Sequence, residues 1–111
     1  MSDLDFPPFI KWGSYKSQDQ NKPDVLELQV LEVDTFEIAY SINVKVKLKD
    51  SGEWNEAILP LKSFESKNEI LLKEWLKNKI KVKKGKKFLL KTWLGKSTKS
   101  DFPMRRFVLE F

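Results

Sequence analysis

Cations and aromatic rings are the residues of this chain that could do chemistry, and both crowd its second half. Between Lys73 and Arg106 there are thirteen Lys or Arg against two acids, Glu74 and Asp101. Residues 1–72 instead carry eight Lys against thirteen acids. Phe88, Trp93, Phe102 and Phe107 interleave with the cations of the basic half. Positive charge neutralises phosphates and flat rings stack on bases, so the alternation fits single-stranded nucleic acid. A lysine face that serves only solvation is the competing interpretation. The charge asymmetry and the interleaved rings favour the first.

Other chemistry has little support. The chain has neither His nor Cys, which removes disulfides, a Cys/His zinc site, the commonest general base and the best nucleophile. Four glycines, at 13, 52, 85 and 95, form no phosphate-cradling loop. The acids are scattered, with no close pair on a common face. The expectation is a non-enzymatic protein with no metal and no cofactor. The N-terminal residues Met1-Ser2-Asp3-Leu4-Asp5 do not read as a signal peptide, and no apolar run is long enough to span a bilayer. A cytoplasmic protein with no membrane partner is therefore expected.

The elements that must position these residues read mostly as strands. At 111 residues, 41% hydrophobic and 33% charged, the chain suits one globular domain. Residues 1–24, with Pro7-Pro8 and Pro23, read as a partly ordered arm in which Phe9 to Trp12 is a short apolar patch. In residues 25–49, Leu26, Leu28 and Val30 alternate with polar residues. After a break at Asp34-Thr35, Phe36, Ile38, Tyr40, Ile42, Val44, Val46 and Leu48 follow with period two. Their wet counterparts are Glu37, Ala39, Ser41, Asn43, Lys45, Lys47 and Lys49. The turn Asp50-Ser51-Gly52-Glu53 returns the chain as a hairpin, and Pro60 is expected to end that strand.

A helix follows, with Ser66 and Glu69 in capping-box spacing ahead of Ile70, Leu71, Leu72, Trp75 and Leu76. Lys79, Lys81 and Lys83 then alternate with Ile80 and Val82, which predicts a strand with three lysines on one face. Residues 88–94 form a further strand, a polar loop runs to Pro103, and Arg105 to Phe111 is the last strand.

A helix between the third and fourth of five antiparallel strands is the layout of the OB-fold barrel. The stretch KIKVKKGKKFLLKTWLGKS, followed by RRFVLEF, resembles the C-terminal half of OB-fold single-stranded-DNA-binding domains of the archaeal SSB and replication-protein-A-like kind. The resemblance covers roughly residues 25–111, which would form the domain beyond the arm, and is one of layout rather than motif. It implies nucleic-acid contact through Asn43, Lys45 and Lys47 of the second strand and Trp54 of the third. Lys91 and Trp93 of the fourth would join them, with Lys96, Lys99, Phe102 and Arg105 in and after the following loop. From the lysine ladder itself, Lys79, Lys81 and Lys83 are added as phosphate contacts. The family's clamp between the first two strands would be reduced here to about two residues, Asp34 and Thr35.

Two rival readings keep the fold but change the partner. A protein partner could pair with the C-terminal strand or with the arm, whose Asp3 to Phe9 resembles the acidic recruiting peptide of bacterial SSB proteins. A duplex-coating chromatin role is the other.

Overall fold

The computed structural model describes residues 7–95 and 104–111 of the chain. Six strands and one α-helix follow in the order β1 (Asp24–Val30), β2 (Phe36–Ile38), β3 (Ser41–Asp50), β4 (Glu53–Ser63), α1 (Ile70–Lys77), β5 (Lys87–Gly95) and β6 (Met104–Glu110). Every pairing between strands is antiparallel, and the main order across the sheet is β4-β3-β1-β5-β6. The short β2 shares with β1 the other edge of β3.

The mostly-β fold with a helix between β4 and β5 matches the sequence reading, but the five-stranded closed barrel does not. Among the described residues there are six strands, and no ladder joins β4 to β6. The gap is bridged by other means. Ile10 N–H donates to the Ile58 carbonyl and Ile58 N–H to the Pro8 carbonyl, both at 2.9 Å, which lays the arm along the free edge of β4. Trp12 then packs edge-on against Phe107 of β6 at 4.9 Å between centroids, and Leu94 N–H of β5 donates to the Ser17 carbonyl at 2.8 Å. The helix lies against β6 and β4, with Glu74 Oε1 accepting from Leu109 N–H at 3.1 Å.

Period-two burial builds the core. Leu26, Leu28 and Val30 of β1, Val44 and Val46 of β3, Leu59 of β4, Phe88 and Leu90 of β5 and Phe107 and Leu109 of β6 share one buried cluster. The helix contributes Leu71 and Trp75, and Trp75 is only 2% exposed beneath edge contacts from Phe88 and Phe111.

Four local expectations are corrected. The long second strand is interrupted at Ala39 and Tyr40, which have φ of +52° and +60° and form a two-residue turn between β2 and β3. Positive φ at both central residues is the geometry that Asn-Gly or Gly-Gly normally supplies, and Ala-Tyr gives no such signal. The connection between β1 and β3 is thus a ten-residue excursion, 31–40, rather than two residues.

Second, β4 runs through Pro60. A register shift at Ile42/Asn43 faces Pro60 with Asn43, and at a bulge the missing N–H breaks no ladder bond. Third, the helix starts at Ile70, and Asn68 rather than Ser66 supplies the side-chain acceptor, its Oδ1 3.0 Å from Ile70 N. Fourth, Lys79–Lys81 is a 3-10 turn, because Lys81 and Val82 N–H donate to the Asn78 and Lys79 carbonyls. Two apolar residues, Ile80 and Val82, are too short a pattern to separate a strand from a tight helical turn.

The strained turn makes a prediction. Replacing Ala39 with Asn and Tyr40 with Gly should raise stability by about 1–2 kcal/mol, since an L-residue other than Gly or Asn at left-handed φ costs about that much. Urea midpoints of the double variant and wild type measure the gain.

Candidate nucleic-acid interface

Strand pairing decides which side chains share the outer face of the sheet. Across it, Trp54 faces Lys49, whose Nζ lies 3.2 Å from Glu27, and Glu27 pairs with Leu89, which pairs with Glu110. The neighbouring row is Glu56, Lys47, Gln29 and Lys87. On the other side come Val25, Lys91 and Val108, then Trp93 beside Arg106.

This face carries a cavity of about 330 Å³ lined by Trp54, Lys49, Lys87, Glu27, Leu89 and Glu110, with Leu28 and Phe88 beneath. Lys87 Nζ stands 5.3 Å from the Trp54 ring centroid, a cation–π contact worth roughly 0.5–1 kcal/mol at an exposed site. The cations are not all available for a ligand at no cost. Lys91 Nζ is 2.9 Å from Glu110 Oε2, so an incoming phosphate exchanges one exposed ion pair for another.

Further along β5, Trp93 points outward because Leu90 and Thr92 are buried. Gly95 leaves room there: a Cβ at that position would sit 3.1 Å from Arg106 Cγ and 3.5 Å from Trp93 Nε1. Arg106 is therefore held beside the indole.

Lys45, Lys47, Trp54, Lys91 and Trp93 are thus brought onto one face; alternation alone left open whether the two tryptophans face out or in. Lys45 Nζ additionally lies 5.8 Å from the Phe36 ring. Asn43 does not belong with them. It is fully buried, its Oδ1 accepting from the Ser41 hydroxyl at 2.8 Å and its Nδ2 donating to the carbonyls of Ser41 (3.0 Å) and Ile38 (3.3 Å). The bulge turns it into the brace of the β2–β3 turn.

Arg105 also faces inward. Its Nη2 donates to the Trp12 and Tyr15 carbonyls at 3.0 and 2.8 Å, and its Nη1 to Thr92 Oγ1 at 3.1 Å. Desolvation lowers its pKa and Asp24 pulls it back up. Burial, reinforced by Asp50 and Asp24, raises the nearby Tyr15 hydroxyl above the usual tyrosine range. Both groups serve the seam between the arm and β6.

Lys79, Lys81 and Lys83 lie apart from the outer face, at and after the helix end, and do not form a strand ladder. Lys96, Lys99 and Phe102 lie outside the described residues. Sequence reasoning missed Lys49, Lys87 and Arg106. Lys49 continues the Lys45–Lys47 alternation and could have been included. The placing of Lys87 over Trp54 depends on strands far apart in sequence.

Among the described residues no three carboxylates gather as a metal site, and no helix is long and apolar enough to cross a membrane. No family model matches the chain, and no curated protein or solved structure is significantly similar to it.

Proposed function

We propose that this chain binds single-stranded DNA or RNA with little sequence preference, across the outer face of β4, β3, β1 and β5. The observation that carries the reading is the Trp54 cavity, where a half-exposed indole is flanked by Lys49 and Lys87. Lys45, Lys47 and Lys91 extend the positive charge, and Trp93 with Arg106 offers a second ring and cation. A base takes the ring and the flanking phosphates take the lysines. Few amide side chains face outward near the cavity, so base edges go largely unread.

The layout supports the same reading. The order β4-β3-β1-β5-β6, with α1 between β4 and β5, reads as an OB-type barrel opened between its third and fifth strands. The 31–40 excursion stands where such a domain carries its first clamp loop, and it presents Tyr40 at its tip, 77% exposed. Pairing of β6 with a protein partner is less favoured, because Glu74 and Asn68 already bond Leu109 N–H and the Arg105 carbonyl on that edge.

Tryptophan fluorescence tests the proposal during titration with dT and dA oligomers of about 8–20 nucleotides, over a salt series with duplex as competitor. Quenching by single strands that weakens steeply with salt and survives duplex competition is expected. Equal competition by duplex points to a duplex-coating role, and no binding at low salt removes the reading.

A further inference from the structure

The lysines at the end of the helix are not absorbed by the outer face, yet they build a concave feature of their own. Ile80, Lys81, Lys83, Lys86 and Phe111 line a second cavity of about 350 Å³. Its backbone is fixed. Gly85 N–H donates to the Val30 carbonyl at 2.7 Å and Val30 N–H to the Lys86 carbonyl at 2.8 Å, while Gln29 Nε2 reaches the Gly85 carbonyl at 3.0 Å. Gly85 itself has φ of +87° in a turn closed by Lys86 N–H to the Lys83 carbonyl. The lysines are thus presented from a turn bolted to the end of β1.

The apolar part is also set. Phe111 stacks on Phe88 with centroids 4.6 Å apart and planes 14° from parallel, and Ile80 is 91% exposed without any packing role. No acid occurs in sequence between Glu74 and Asp101. Among the described residues no carboxylate lies within ion-pair distance of Lys81, Lys83 or Lys86.

We infer that this cavity is a second nucleotide subsite, in which Lys81, Lys83 and Lys86 hold a phosphate and Ile80 and Phe111 take the sugar or base. The inference rests on the proposed function and extends it. Consecutive residues Lys86 and Lys87 line the two cavities, so the sites are neighbours along the chain at the start of β5, and one strand is proposed to run from the Trp54 site to the helix end. The lysines act here as point charges without bidentate geometry, as fits a strand bound without regard to sequence.

The test uses the full chain carrying Lys81→Ser, Lys83→Ser and Lys86→Ser together. All three side chains are exposed, so the thermal midpoint should stay near wild type. Each phosphate contact on a single strand contributes about 0.7 to the slope of log affinity against log salt. Losing the one phosphate that the three lysines share lowers the slope by about 0.7, making affinity about 2.6-fold less sensitive to a change from 50 to 200 mM salt. The shortest dT oligomer that reaches full affinity should also shorten, while quenching at Trp54 persists.

An unchanged slope and length overturn the second subsite and leave the outer-face reading standing. A wild-type protein that binds no oligonucleotide overturns both. Binding to vesicles containing phosphatidylserine that is lost in Ile80→Ser, with oligonucleotide binding intact, assigns the cavity to an anionic lipid surface instead.

Discussion

Replacing Arg105 with Ala is expected to destabilise the protein by about 2–4 kcal/mol, the range for breaking a partly buried, charge-assisted hydrogen-bond network. The guanidinium joins three pieces of chain distant in sequence. It binds the carbonyls of Trp12 and Tyr15 in the arm and the hydroxyl of Thr92 in β5, from its own place in β6. Thr92 Oγ1 keeps its bond to the Arg106 carbonyl, so the loss falls on the arm. The Tyr15 carbonyl loses its donor where water has limited access, the Trp12 carbonyl keeps only the Tyr15 N–H, and Trp12 loses its hold beside Phe107. Arg105→Lys should recover less than half, because an ammonium is a compact point charge that lacks the planar fork.

Urea unfolding measures the effect, with an unchanged m-value expected if the native state remains compact. Limited proteolysis within residues 7–23 should accelerate in the same variant. Oligonucleotide affinity of the folded fraction should be retained. An unshifted midpoint with lost affinity would instead return Arg105 to the binding surface.

Trp54→Ala should have the opposite profile, weakening oligonucleotide binding about 5- to 150-fold with little change in stability. The loss corresponds to the roughly 1–3 kcal/mol that base–aromatic stacking contributes. Trp54 lies at the start of β4 opposite Lys49 and is outside the buried cluster. Truncating it forfeits the contact with Lys87, about 0.5–1 kcal/mol, rather than core packing. Trp54→Phe keeps a ring and should restore most of the affinity. Fluorescence separates the contributions, because Trp75 is buried and Trp12 is packed on Phe107, which leaves Trp54 and Trp93 to report the ligand. If Trp54→Ala binds as wild type does, the cavity is not where bases stack.

The correctness of the sequence reading tracked how local each signal was. Ser51-Gly52 and Ala39-Tyr40 make the same kind of two-residue turn with positive φ. Only the first was legible, because glycine announces the conformation and Ala-Tyr opposes it. The second is held by Asn43, whose burial follows from a register shift opposite Pro60. Without that shift in view, alternation placed Asn43 on the wet face.

The two arginines show the same limit. Alternation put Arg105 and Arg106 on opposite faces without saying which face was in. Arg105 faces the core side because Phe107 and Leu109, in phase with it, are buried.

By itself the sequence determined the strand-rich class, the place of the helix and the basic character of the second half. These depend on period-two patterning, a short helical stripe and composition, all of them local. Only the tertiary structure decided that the sheet stays open between β4 and β6, that the arm spans the gap, and that Arg105 is spent holding it. It also decided that Lys87 stands over Trp54 and that Lys81, Lys83 and Lys86 line a common cavity. Each of these joins residues from strands or turns far apart in the chain, and their proximity is set by pairing register and packing, which no local pattern encodes.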